Sequence, residues 1–182
     1  METFTKAKPF VEHPRYFQDR QDTLAVLDSS SIDRPIVDII DGFSRLPHGF
    51  TLQSCYGHFV SAEGQDRHNL DPIPSRGTGW IKYRIAYLAF CIDNSTPGKA
   101  LLDALAQIPE NDPERIQFGS AEWFWKRHVN SFALQVEPMR HKRKDQVTLE
   151  YEEAIDVQRS RGLFFDKIRE LLEKQLREHR TS

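Results

Sequence analysis

Phe50-Thr51-Leu52-Gln53-Ser54-Cys55-Tyr56-Gly57-His58-Phe59-Val60 is the run on which the fold turns. Entered from a turn at His48-Gly49 and rich in β-formers and aromatic residues, it reads as one strand. Kept extended, it points Ser54, Tyr56 and His58 to one face and Gln53, Cys55 and Gly57 to the other. A hydroxyl, a thiol, a phenol and an imidazole gather around one glycine, a concentration that points to a site. The plain structural reading makes Cys55 a buried small apolar residue and Gly57 a bulge or close backbone approach.

Upstream, the polar segment 15–28 carries Phe17, Leu24 and Leu27 on helical spacing and stops at Ser29-Ser30-Ser31, giving a first helix. Asp33 is placed to cap a second, with Pro35 in its first turn and Ile36, Ile39, Ile40 and Phe43 on one face, ending near Leu46-Pro47. Downstream, 61–79 is rich in Gly, Pro, Asn and Asp without periodicity and reads as a long surface loop. Trp80 to Ile92 reads as the next strand, and Thr96 as the cap of a short helix turning Leu101, Leu102, Leu105 and Ile108 to the core. Ile116–Trp125 and Val129–Val136 read as a hairpin whose second arm puts Phe132, Leu134 and Val136 on one face. From Thr148 a helix is predicted to about Arg177, with Gly162 as a point of break or bend. It turns Tyr151, Ile155, Phe164, Ile168, Leu171 and Leu172 to the sheet and is braced by Glu170–Lys174 and Glu173–Arg177 pairs. The order of elements predicts an α+β fold, a mixed and largely antiparallel sheet backed by helices, in a single domain over 1–182.

Composition narrows the function classes. With 38% hydrophobic and 29% charged residues, three Trp and twelve Phe, the chain has material for a core and is not of disordered composition. A net charge of −2 argues against a non-specific nucleic-acid coat, while leaving room for a local basic patch. No stretch approaches the ~20 apolar residues of a membrane span, and Met1–Lys6 lacks a signal-peptide pattern, so no membrane partner and a cytoplasmic location are expected. Cys55 and Cys91 stand far apart in different apolar contexts, which predicts two reduced thiols.

Three chemistries are open for the 51–58 cluster. A Cys55/His58 nucleophile pair requires hydrogen-bond contact, and therefore a turn at Gly57. A serine nucleophile activated by His58 lacks a visible oxyanion hole and orienting carboxylate. A zinc site would recruit Cys55 and His58 with His48 and His68, but the spacing matches no strong zinc pattern and no metal is expected.

Thr51, Ser54, Cys55 and Gly57 match the Ser-Ser-Cys-Ser-Gly-Arg signature of the tRNA wybutosine-synthesising protein 3 family, which the stretch resembles. The approach through Asp28-Ser29, Ile32-Asp33 and the Ile/Val-rich helix, and the later order of strand, helix, strands and long helix, are similar too. The resemblance implies S-adenosylmethionine-dependent methyl transfer to a nitrogen of a modified guanosine beside a tRNA anticodon. It implies Ser54 and His58 as catalytic residues, and Thr51, Cys55, Tyr56, Gly57 and Trp80 as contacts to the small-molecule methyl donor. Gln53 and Tyr56 stand where the family has serines, and His58 where it has arginine. A fixed bidentate fork is thereby exchanged for a group that titrates near neutrality. The alternative is a non-catalytic nucleotide, small-molecule or RNA-binding module on the same scaffold.

Two basic stretches are candidates for a phosphate backbone: Lys126 and Arg127 beside Trp123 and Trp125, and Lys142, Arg143 and Lys144 in the connection before the last helix. Against this, Trp123 and Trp125 share a strand face if 116–125 is extended, which suits core packing, and a charge run suits a solvated loop.

Overall fold

The computed structural model describes residues 5–141 and 145–181. Its helices are α1 (Tyr16–Ala25), α2 (Val37–Arg45), α3 (Thr96–Ala106), α4 (Glu122–Trp125) and α5 (Tyr151–Thr181). Its strands are β1 (Gly49–Cys55), β2 (His58–Val60), β3 (Trp80–Arg84), β4 (Ala86–Ile92), β5 (Ile116–Gly119), β6 (Ser131–Val136) and β7 (Gln146–Glu150). The fold is α+β, with two antiparallel sheets: a larger one in the order β1-β4-β6-β5 and a smaller one in the order β2-β3-β7.

Each long apolar run is thus two strands rather than one. The run 50–60 breaks at Tyr56-Gly57 and the run 80–92 at Ile85, so a single ribbon, β1 on β4 and β2 on β3, passes from one sheet to the other. Gly57 makes the corner possible: its φ is +90°, and a Cβ there would lie 2.9 Å from Ala86 Cβ and 3.1 Å from Ala86 N. Tyr83 pins the facing break, since its hydroxyl donates to the Val136 carbonyl (2.9 Å) and accepts from Ala86 N–H (2.8 Å). With both partners present, a fully buried phenol avoids the cost of an orphaned polar group.

One apolar cluster spans both sheets and the helices over them. Ile36, Ile39, Ile40 and Phe43 of the α2 region meet Phe164, Ile168 and Leu172 of α5 there, with Phe90, Phe132 and Leu134 from the larger sheet. Each such side chain, fully buried, contributes about 1.5–3 kcal/mol. Tyr151, Ile155 and Leu171 are half-buried against the same cluster. The 61–79 connection is irregular, as its composition predicts, and is tied down by Ile73 N–H to Gln158 and by the Tyr151 hydroxyl to the Pro74 carbonyl.

Local chemistry corrects four expectations. Residues 146–150 form β7, not a first helical turn: Val147 and Leu149 are buried, their neighbours are exposed, and the segment pairs with β3. Ser95, not Thr96, caps α3 by accepting from Gly98 N–H. The connection between β5 and β6 contains α4, so Trp123 and Trp125 lie on a helical turn and not on a strand face. In α5, which runs unbroken through Gly162, Arg177 pairs with Glu173, whereas Glu170 takes Lys167 and Lys174 takes Glu178.

Candidate functional site

The corner at Tyr56-Gly57 builds the site. Asp33 precedes a short 3-10 turn (Arg34–Ile36) but makes no side-chain cap. Its carboxylate accepts from Tyr56 N–H at 2.7 Å and lies 3.3 Å from His58 Nε2. His58 Nδ1 lies 3.2 Å from the Asn69 carbonyl of the long loop. Both partners of the ring can only accept, so the geometry suits an imidazolium donating from both nitrogens. Hydrogen bonds to Asp33 and then to Cys55 outweigh burial and hold His58 up to about 10. Burial alone would raise Asp33, but the His58 and Tyr56 N–H bonds keep it below the usual carboxylate range. His58 therefore carries a fixed charge near neutrality, as an arginine would, yet spends it on Asp33.

Cys55 reaches the same place because the chain turns. Its sulfur, an Asp33 oxygen and a His58 nitrogen all lie within 4.8 Å of one another, and Cys55 and His58 are buried. Beneath them, Arg161 of α5 is 5% exposed, donates to the Gly57 carbonyl at 2.8 Å, and stacks over Tyr56 (4.0 Å) and Phe59 (5.0 Å). Burial pulls its pKa down, opposed by Tyr56, Tyr83 and Cys55, and its Nε is buried without a hydrogen-bond partner among the described residues. Tyr87, the register partner of Cys55, has its phenol pushed up by burial to about 12 and stays neutral at ordinary pH.

The structure brings together Cys55, Tyr56, Gly57 and His58, but not on the faces predicted for a straight strand. Tyr56 stacks on Phe165 in the interior, while His58 lies in register with Arg84 of the smaller sheet. Thr51 is buried at a β1 irregularity and Ser54 is half-buried opposite Leu88; neither side chain forms a hydrogen bond among the described residues. Trp80 starts β3, four residues from Arg84, which places it roughly 13 Å along the strand from the level of His58. It is 66% exposed and helps line a cleft of about 300 Å³ with Gly77, Gly79, Glu150, Tyr151 and Glu152. A larger cleft, about 540 Å³, lies between the α3 end and α5; neither includes residues 51–58.

Of the predicted zinc partners, His48 faces His179, and exposed His68 has its ring 5.5 Å from that of His58. Lys126 pairs with Glu122, and Arg127 stacks 3.8 Å over Trp123, which is exposed; Trp125 packs edge-on against Phe132. Lys142, Arg143 and Lys144 lie outside the described residues. Sequence reasoning missed Asp33, taken as a cap, and Arg161. The latter had a signal, a lone cation among the core-facing positions Val157, Phe164, Phe165 and Ile168 of one helix.

No model of a known protein family matches the chain, and no curated protein matches it. Among solved structures it is similar in fold to the PH1069 protein of Pyrococcus horikoshii OT3, with TM-score 0.52, 12% identity, and 89% of this chain and 94% of that one covered. A second structure of PH1069 from Pyrococcus horikoshii gives TM-score 0.49 at 12% identity over 88% and 94% of the two chains. A hypothetical protein from Aeropyrum pernix gives TM-score 0.41 at 14% identity, with 78% of this chain and 98% of that one covered.

Proposed function

We propose that the chain binds S-adenosylmethionine and methylates a modified guanosine in tRNA, as the resemblance of Thr51–His58 to the wybutosine-synthesising protein 3 signature implies. The observation that carries the reading is the outer face of β3. Trp80, Lys82 and Arg84 alternate along it, Trp80 and Lys82 exposed and Arg84 half-buried, and neither cation is ion-paired among the described residues. Arg84 is in register with His58. An open indole with cations at strand spacing suits base stacking and phosphate contact.

The residues fit a nucleoside ligand at the Trp80 end, where the indole offers a stacking face and Glu150 and Glu152 offer acceptors for ribose hydroxyls. The methyl donor, when bound, supplies a methyl group activated on a sulfonium. The chain's own part is positioning. The Asp33–His58 pair is neutral as a unit and does not repel a cationic donor, and Arg161 and Tyr83 hold the corner rigid. Lys82 and Arg84 take over the phosphate-contact role expected of Lys126 and Arg127, which are engaged locally.

Calorimetry with S-adenosylmethionine tests the reading. Saturable binding is expected, and Trp80→Ala should weaken it about 5- to 150-fold, the worth of one stacked base. No binding heat across a range of temperatures removes the donor. One observation favours a second reading, a binding module without catalysis: both His58 nitrogens are engaged, and the Ser54 side chain forms no hydrogen bond among the described residues. Donor binding without transfer of a labelled methyl to tRNA lacking that methyl would select it.

A further inference from the structure

We infer that Asp33, Cys55 and His58 form a binding site for a divalent transition-metal ion of the zinc class. The inference is independent of the methyl-donor reading. The sequence expectation of no metal rested on the spacing of Cys55 and His58 with His48 and His68. The fold substitutes Asp33, far upstream, for both histidines.

Four observations converge. One atom from each residue lies within 4.8 Å of the other two. The Asp33 Oδ2 to His58 Nε2 distance of 3.3 Å matches the edge of a tetrahedron whose metal–ligand bonds are about 2.0–2.1 Å. The His58 Nδ1 side faces the Asn69 carbonyl, the outer contact that fixes the tautomer with its Nε2 lone pair inward. Asp33 is steadied in turn by Tyr56 N–H. Thiolate, imidazole and carboxylate together select zinc or cobalt(II) over calcium or magnesium, which prefer all-oxygen sets.

Binding requires the Cys55 thiolate and a free lone pair on His58 Nε2, so protons held there are released to solvent as the metal enters. Asp33, whose side chain is 21% exposed against 2% for His58, marks the open side. The fourth position faces that way, for water or a ligand heteroatom.

The test is titration of chelator-treated full-length protein with Co²⁺. One equivalent should produce tetrahedral d–d bands and a thiolate-to-cobalt charge-transfer band. Cys55→Ser should abolish the thiolate band, Cys91→Ala should leave it, and Asp33→Asn should weaken affinity at least about 10-fold. X-ray absorption on the wild-type zinc form supplies a reading that needs no variant: one sulfur at about 2.3 Å and nitrogen or oxygen neighbours at about 2.0 Å. Absence of any band at stoichiometric Co²⁺, a band surviving Cys55→Ser, or a zinc shell without sulfur would overturn the site.

Discussion

Two clusters in this molecule use the same side chains to different ends. At the sheet corner stand Asp33, His58 and Cys55; toward the other end of the paired β1 and β4 strands stand Asp19, His13, His128 and Cys91. In the second, His13 Nε2 and His128 Nδ1 lie 2.9 and 3.5 Å from one Asp19 oxygen, and Cys91 Sγ lies 3.9 Å from His13 Nδ1 while donating to the Val129 carbonyl. Cys91 packs with Tyr16 and Phe50 in a small satellite core, and burial pushes its thiol far above the usual range. That arrangement fastens the entering chain to α1 and to the segment after α4. At the corner, by contrast, three ligand atoms face one another because the backbone turns there. The difference lies in the chain path, not in composition.

The largest expected effect breaks the corner. Gly57→Val combines a left-handed φ with a Cβ inside contact distance of Ala86 and Tyr83. A loss of about 3 kcal/mol or more in denaturant unfolding is expected, together with loss of Co²⁺ and donor binding. A variant of near wild-type stability would show that the strand passes straight through. The smaller effect breaks the other cluster. Asp19→Asn removes the carboxylate shared by two histidines and should cost about 1–2 kcal/mol, with metal affinity at Asp33, Cys55 and His58 unchanged. Loss of both together would mean the clusters are one cooperative unit.

Legibility in the sequence follows the same division. Helical periodicity placed α2, α3 and most of α5, because one-sided apolar spacing survives into the packed structure; α1 forms where expected, but it is Tyr16 that is buried, while Phe17 and Leu27 of the expected face are exposed. The breaks at Gly57 and Ile85 are harder to read: at Ile85 the alternation of β3, with Trp80 and Lys82 exposed and Ile81 and Tyr83 buried, gives way to the nearly continuous burial of β4, but no Gly, Pro or Asn marks the change. Gly57 was the visible hint, and the condition placed on a Cys55/His58 contact, a turn at that glycine, is met. Asp33 was seen and given the local role of helix cap. Its real partners, Tyr56 N–H and His58, are long-range and carry no spacing signal. The strand β7 was lost to the helix because its five residues run directly into Tyr151 without a breaker.

The corner's central feature is the Asp33–His58 pair, and its sign with pH is definite. A histidine raised from an ordinary value of 6.5 to about 10 contributes stability that is fully present below 6.5 and lost as pH rises through 10. Asp19 and Asp33, both lowered from 3.8, contribute stability that is present above that value and is lost as pH falls below it. His48, lowered by burial, serves as an internal reference. The most direct measurement is a histidine nitrogen NMR titration of metal-free protein from pH 5 to 10, assigned through His58→Gln. His58 should keep imidazolium shifts at pH 8, after His48 has become neutral. A His58 that titrates near 6.5 would show that Asp33 does not hold it, and would contradict the ion pair at the corner.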